Sequence, residues 1–224
     1  MPASDLPIVI GVDGCKAGWV AVRLAGGRAS VTVHRRFDEI AALEADVIGV
    51  DMPLGLVEHG RRDADAALRA FLGARRATVF EIPPRAVVSL AHYEDACDAS
   101  QRLTGRKISL QAFHLFPKLR EVDRCVADTR VVEIHPETSF AIMAGAPLAA
   151  SKHTPGGARV RRRWLRAHGI AVPTTRHRGV GIDDVLDAAA VAWSARRHAL
   201  GQARCFRTQP AQRDASGRVI AVIA

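Results

Sequence analysis

The chain has 224 residues, 48% hydrophobic and 25% charged, with no run of 18 apolar residues, which suits one soluble domain and excludes a transmembrane helix. Its formal net charge of +9 fits an anionic partner, but a GC-rich coding composition, heavy in arginine and alanine, gives the same balance, so charge alone does not choose. The N-terminal MPASDLPIVIGVDG lacks a basic region ahead of a long apolar core, and Cys15, Cys97, Cys125 and Cys205 form no CxxC or Cys/His zinc pattern; the expectation is a cytoplasmic protein with reduced thiols and no signal peptide.

IVIGVD, from Ile8 to Asp13, is an apolar run closed by an acid and predicts a buried strand. WVAVRLAG predicts a second strand, Gly26-Gly27 a hairpin turn, and ASVTVHRRF a third strand. Asp38 is expected to cap a short helix. ADVIGVDMP predicts a fourth strand, ending at Asp51 and stopped by Pro53. RRDADAALRAFLG, closed by Gly73, predicts a helix. A mixed, mainly helical segment of about 74–130 reads as an insertion into a single domain spanning 1–224. VVEIH predicts a fifth strand with Glu133 inside it. Helices are expected in SFAIMAG and KHTPGGARVRRRWLRAHG, and a closing helix from about Asp183 to His198. The C-terminal RVIAVIA reads as a strand with an unpaired edge, open to a second subunit, so a dimer is left open. Short turns make the first three strands antiparallel, and helical crossovers make the later ones parallel to the first. The fold class is therefore α/β, a mixed five-stranded sheet flanked by helices.

The acids fall at telling places on that scaffold. Asp13 closes the first strand and Asp51 the fourth; in adjacent parallel strands both emerge at the carboxyl ends, where open α/β sheets bind ligands. Asp184 and Asp187 share one face of the closing helix, while Ile182, Val185, Leu186, Ala189 and Trp193 form the stripe expected on the sheet. Four gathered carboxylates raise one another's pKa. Mg²⁺ or Mn²⁺, which prefer hard oxygen ligands, relieve that conflict, and two such ions about 4 Å apart activate a water and stabilise a leaving oxygen. Plainer readings stand beside these. Asp183 suits a helix N-cap, Asp13 before Gly14 suits a turn, and Glu133 on an apolar strand is either a further metal ligand or the partner of an arginine such as Arg85. Lys118, Arg61, Arg62, Arg75, Arg76, Lys152 and His153 are candidate phosphate clamps or ordinary surface ion pairs.

Several segments together resemble a family: GVDGCKAGWV, VIGVDMPLGL, RRDADAALRAFLGARRATVFEIPPR, SLQAFHLFPKLREVD, EIHPETSF, KHTPGGARVRR and DDVLDAAAVAWSA. In order, they are similar to the domain of unknown function family 429, described as predicted RNase H-like nucleases. The resemblance implies an RNase H-like fold and metal-binding acids on the first strand, the fourth strand and the closing helix, positions held here by Asp13, Asp51, Asp184 and Asp187. The related resolvases carry a glutamate on the fourth strand, where this chain has the shorter aspartate.

The first functional expectation is a metal-dependent phosphodiesterase or nuclease. Asp13, Asp51, Asp184 and Asp187, with Glu133 as a further ligand, would bind Mg²⁺ or Mn²⁺, and Lys118 or nearby arginines would hold phosphate charge. Aromatic residues are only 5% of the chain and Asn and Gln are scarce, so low sequence specificity is expected on nucleic acid or nucleotide phosphate. Two alternatives remain at this level: small-molecule phosphoryl transfer on a related core, with DGCKAGW as a phosphate turn, and a non-catalytic polyanion-binding module. No membrane partner is expected.

Overall fold

The computed structural model describes residues 6–224. In chain order the elements are β1 (Val9–Cys15), β2 (Gly18–Ala25), β3 (Arg28–His34), α1 (Phe37–Ala41), β4 (Val47–Val50), α2 (Asp63–Leu72), α3 (Arg85–Val88), α4 (Tyr93–Thr104), α5 (Leu110–Asp123), β5 (Val131–Glu133), α6 (Pro136–Ala144), α7 (Pro155–Ala167), α8 (Ile182–Ala199), β6 (Cys205–Phe206) and β7 (Val222–Ile223). Strands β3-β2-β1-β4-β5 form a mixed five-stranded sheet, an α/β arrangement consistent with the RNase H-like order. β1 runs antiparallel to β2 and parallel to β4, and β4 runs parallel to β5. The β2–β3 hairpin turns on Gly26 and Gly27, both at positive φ, which matches the right-handed twist of the flanking strands.

The chain forms two compact units. One holds the sheet with α1, α6, α7 and α8; the other is built from Pro53–Ala127 and Phe206–Val222 and contains α2 to α5. Among the described residues no helix is long and apolar enough to cross a membrane.

The sheet-bearing unit is organised by contact between α8 and two glycines. Gly11 on β1 and Gly49 on β4 are direct neighbours in the parallel register. A Cβ on Gly11 would lie 2.1 Å from both the Ala188 carbonyl oxygen and the Ala192 nitrogen. A Cβ on Gly49 would lie 2.8 Å from Val191 and 3.3 Å from the Ala195 side chain. At Gly11, helix backbone therefore rests almost directly on strand backbone, while Gly49 makes room for the side chains of Val191 and Ala195 and, at 2.6 Å, of Ile134. This is why α8 is alanine-rich: residues Leu186 to Ala195 are all buried, and only small side chains permit the approach. Ser194 in the same helix donates to Ser139 of α6 at 2.8 Å, satisfying two buried hydroxyls.

Three expectations are corrected. The sheet-facing stripe of α8 is Ala188, Val191, Ala192 and Ala195; Ile182 is half exposed, and Trp193 turns to His168 and Arg197. Hydrophobic size pointed to the wrong stripe because close approach selects small residues. The C-terminal run is paired within the chain: Ile223 bridges Ile134 in parallel, and Arg204 and Ala224 exchange backbone hydrogen bonds of 2.6 and 2.9 Å. Asp38 is not the cap of α1; Arg36 holds that position, and Asp38 sits in the first turn with an exposed ion pair to Arg36 at 3.1 Å.

Candidate functional site

Strand alternation carries the geometry upward from those glycines. Side chains two apart on a strand share a face. Asp13 therefore projects on the same face as Gly11, and Asp51 on the same face as Gly49, toward α8. The parallel pairing of β1 with β4 ends at Val12 and Val50, so the two acids leave the sheet side by side at its carboxyl edge. On α8, Asp187 directly precedes the Ala188 that touches Gly11. Two glycines and one alanine thus bring three distant aspartates to one edge.

Burial there is severe. Asp187 is fully buried and Asp13 nearly so, while Asp51 keeps part of its surface in water. Burial, the charges of Asp51 and Asp187, and a smaller push from Asp184 hold the Asp13 carboxyl well above its ordinary range. Burial and Asp187 push Asp51 up to about 8, with added repulsion from Glu133 and Glu137. Burial raises Asp187 to about 6, although Lys152 opposes the shift.

Lys152 is the cation the acids share. Its Nζ donates to Asp187 Oδ2 at 2.5 Å. Burial disfavours its charge, but Asp187, Asp51 and Asp13 together raise its pKa above the ordinary lysine value. Thr154 accepts from the Gly157 backbone N–H at 3.0 Å and caps α7, fixing the segment that carries Lys152. The other Asp187 oxygen, Oδ1, is buried without a hydrogen-bond partner, which costs about 1–3 kcal/mol unless a ligand answers it.

Behind this cluster lies a balanced pair. Arg161 of α7, fully buried, donates to Glu137 of α6 at 2.5 Å and to the Ala150 carbonyl at 3.0 Å. Its guanidinium also lies 5.3 Å from the centre of the Phe140 ring.

The remaining candidates have other engagements. Asp184 accepts from the Gly181 N–H at 2.8 Å, so it closes the capping box of α8 while its charge still acts on Asp13. Asp183 is not the N-cap, which is Gly181; it pairs with His153 at 3.2 Å. Glu133 pairs in register with Val50 and so belongs to the sheet face opposite Asp51, acting on Asp51 through its charge. Arg85 is engaged by Glu58 and Asp123. Lys118 lies on α5, in the other unit. Asp13 Oδ1 also accepts from the Gly14 N–H at 2.6 Å, but Asp13 and Gly14 both lie within β1, paired with Val20 and Trp19, so the acid–glycine pair is not a turn.

The sequence groups Lys152 with general phosphate clamps and does not tie it to Asp187; nothing in SKHTPGG betrays a partner 35 positions away. Nor does the sequence mark Glu137 and Arg161 as a buried pair, because α6 and α7 meet only in the tertiary fold. Among the described residues, no three His, Cys, Asp or Glu side chains form a ready metal cage. The donor chemistry nevertheless suits a hard cation: carboxylate oxygens in excess of cations, one of them buried and unanswered.

No curated protein and no solved structure matches the chain. The model of the family described as "Protein of unknown function (DUF429)" matches residues 11–212, nearly the whole length, and the chain belongs to that family.

Proposed function

We propose that this chain is a divalent-metal-dependent phosphodiesterase acting on nucleic acid or nucleotide phosphate with little sequence specificity. The observation that carries the reading is the convergence of Asp13, Asp51 and Asp187, from β1, β4 and α8, with charges that strongly perturb one another. A purely structural acid cluster of this burial gains nothing from keeping three carboxylates on one lysine; a hard cation gives the excess charge a use.

Asp13, Asp51 and Asp187 would hold Mg²⁺ or Mn²⁺. Bound there, the ion supplies a water that is nucleophilic at neutral pH and charge stabilisation for the departing oxygen. Asp184 keeps the first turn of α8 in place through Gly181 and adds negative field. Lys152 orients Asp187 and retains N–H donors beyond the one that Asp187 uses, suited to a phosphoryl oxygen. The Glu137–Arg161 pair fixes α6 against α7 behind the cluster.

The test is cleavage of single-stranded, duplex, hybrid and branched nucleic acids with Mg²⁺, Mn²⁺ or EDTA, alongside thermal unfolding with Mn²⁺. Metal-dependent cleavage lost in Asp13→Asn, and a Mn²⁺-induced rise in Tm lost in Asp187→Asn, are expected. Cleavage that persists in EDTA, or no cleavage and no Mn²⁺ stabilisation, overturns the reading.

A further inference from the structure

The second unit contains a cavity of about 280 Å³ whose charge is as one-sided as that of the acid edge, but positive. Arg61, Arg69, Arg106 and Lys107 line it, against one carboxylate, Glu81. The three guanidiniums share that carboxylate loosely: Arg61 and Arg69 lie 3.9 Å from it and Arg106 3.7 Å. These separations exceed normal charge-assisted hydrogen bonds of about 2.7–2.9 Å. Arg69 is anchored by donating to the Val79 carbonyl at 2.9 Å. The side chains of Arg61 and Arg106 donate no protein hydrogen bond among the described residues, so their planar N–H forks are uncommitted. Arg62 differs from its neighbour Arg61: it is buried in a 2.9 Å pair with Asp65.

Other features of the wall favour the same ligand. Ser109, the N-cap of the 14-residue α5, lines the cavity and accepts from the Ala112 N–H at 3.1 Å, and the helix start adds positive potential there. Ile82, Pro83 and Ile108 give the cavity an apolar side. Its volume approaches the lower end of small-molecule pockets, about 300 Å³.

We propose that this cavity is a phosphate-binding site, with the Arg61 and Arg106 forks taking phosphate oxygens and the apolar side taking the group that the phosphate carries. Planar guanidinium forks match phosphate geometry in a way lysine does not. The site lies wholly within one unit and does not depend on the phosphodiesterase reading, so either can fail alone.

Calorimetric titration of the full chain in EDTA, which keeps any metal chemistry silent, tests it with three probes: inorganic phosphate, a nucleoside 5′-monophosphate, and a single-stranded oligonucleotide without terminal phosphate. Saturable binding of at least one probe is expected. Arg61→Ala and Arg106→Ala should each weaken it about tenfold, the scale of one charge-assisted hydrogen bond, and Glu81→Gln should tighten it. Arg61 and Arg106 are 50% and 64% exposed, so both variants should fold with unchanged Tm. Variant-sensitive binding of the monophosphate identifies a free phosphate ester as the source; variant-sensitive binding of the oligonucleotide alone identifies a backbone phosphate. No saturable binding by any probe, or binding that both alanine variants leave intact, overturns the proposal.

Discussion

The acid edge and the basic cavity are both charge imbalances, yet they obey different physics. At the acid edge the groups are buried. Their field is poorly screened, and the protein responds by shifting protonation: Asp51 titrates near 8 and Asp187 near 6. At the cavity the guanidiniums are half exposed. Water and salt screen them. Buried imbalance therefore couples to folding and pH, whereas exposed imbalance couples to ionic strength and ligand.

The sharpest way to break that contrast is to destroy the contact that buries the acids. Gly11→Ala puts a methyl 2.1 Å from α8 backbone, where nothing flexible gives way. Destabilisation of about 3 kcal/mol or more is expected by urea denaturation. A smaller loss leaves the alanine-on-glycine account wrong.

Next in size is Lys152→Met. It removes the cation on fully buried Asp187 while preserving much of the side-chain volume. The expected cost is about 2 kcal/mol at pH 8, below the usual loss for a broken buried pair because Lys152 keeps some exposure. At pH 5, where Asp187 is mostly protonated, the cost should shrink.

Asp51→Asn sharpens the contrast through pH. A carboxyl whose folded pKa is about 8, against 3.8 when unperturbed, holds a proton in the folded state that the unfolded chain has released. Its stabilising contribution is fully present below pH 3.8 and is lost as pH rises through about 8. Metal-free wild type should accordingly lose stability between pH 5 and 8, by up to about 1.4 kcal/mol per pH unit for each such group. Asp51→Asn should flatten this slope by roughly one proton. A wild-type slope of the opposite sign would contradict the burial argument.

The smallest effect belongs to the cavity. Arg106→Ala should change folding stability by no more than about 0.5 kcal/mol at any pH from 5 to 8. Its mark should appear only in phosphate binding, and weaken with added salt.

Much of this was legible in the chain itself. Five apolar runs, two of them ended by Asp13 and Asp51, with short turns early and helices later, determine a mixed sheet and its strand directions. Alternation and register then bring those two acids together without further information. The motif-bearing segments, read in order, also indicated the family. These are local signals: periodicity, turn chemistry and the carboxyl ends of strands.

Tertiary structure decided the rest, because it depends on close approach between segments far apart in sequence. Apolar periodicity alone could not choose which face of α8 meets the sheet; the bare backbone at Gly11 and Gly49 selects the alanines and so aims Asp187. Nor could spacing tell that Lys152 meets Asp187, that Arg161 meets Glu137, or that Asp184 turns back to Gly181. Sequence set which charges the protein carries; packing set which of them are desolvated, and desolvation is what lifts the pKa values of Asp13, Asp51 and Asp187.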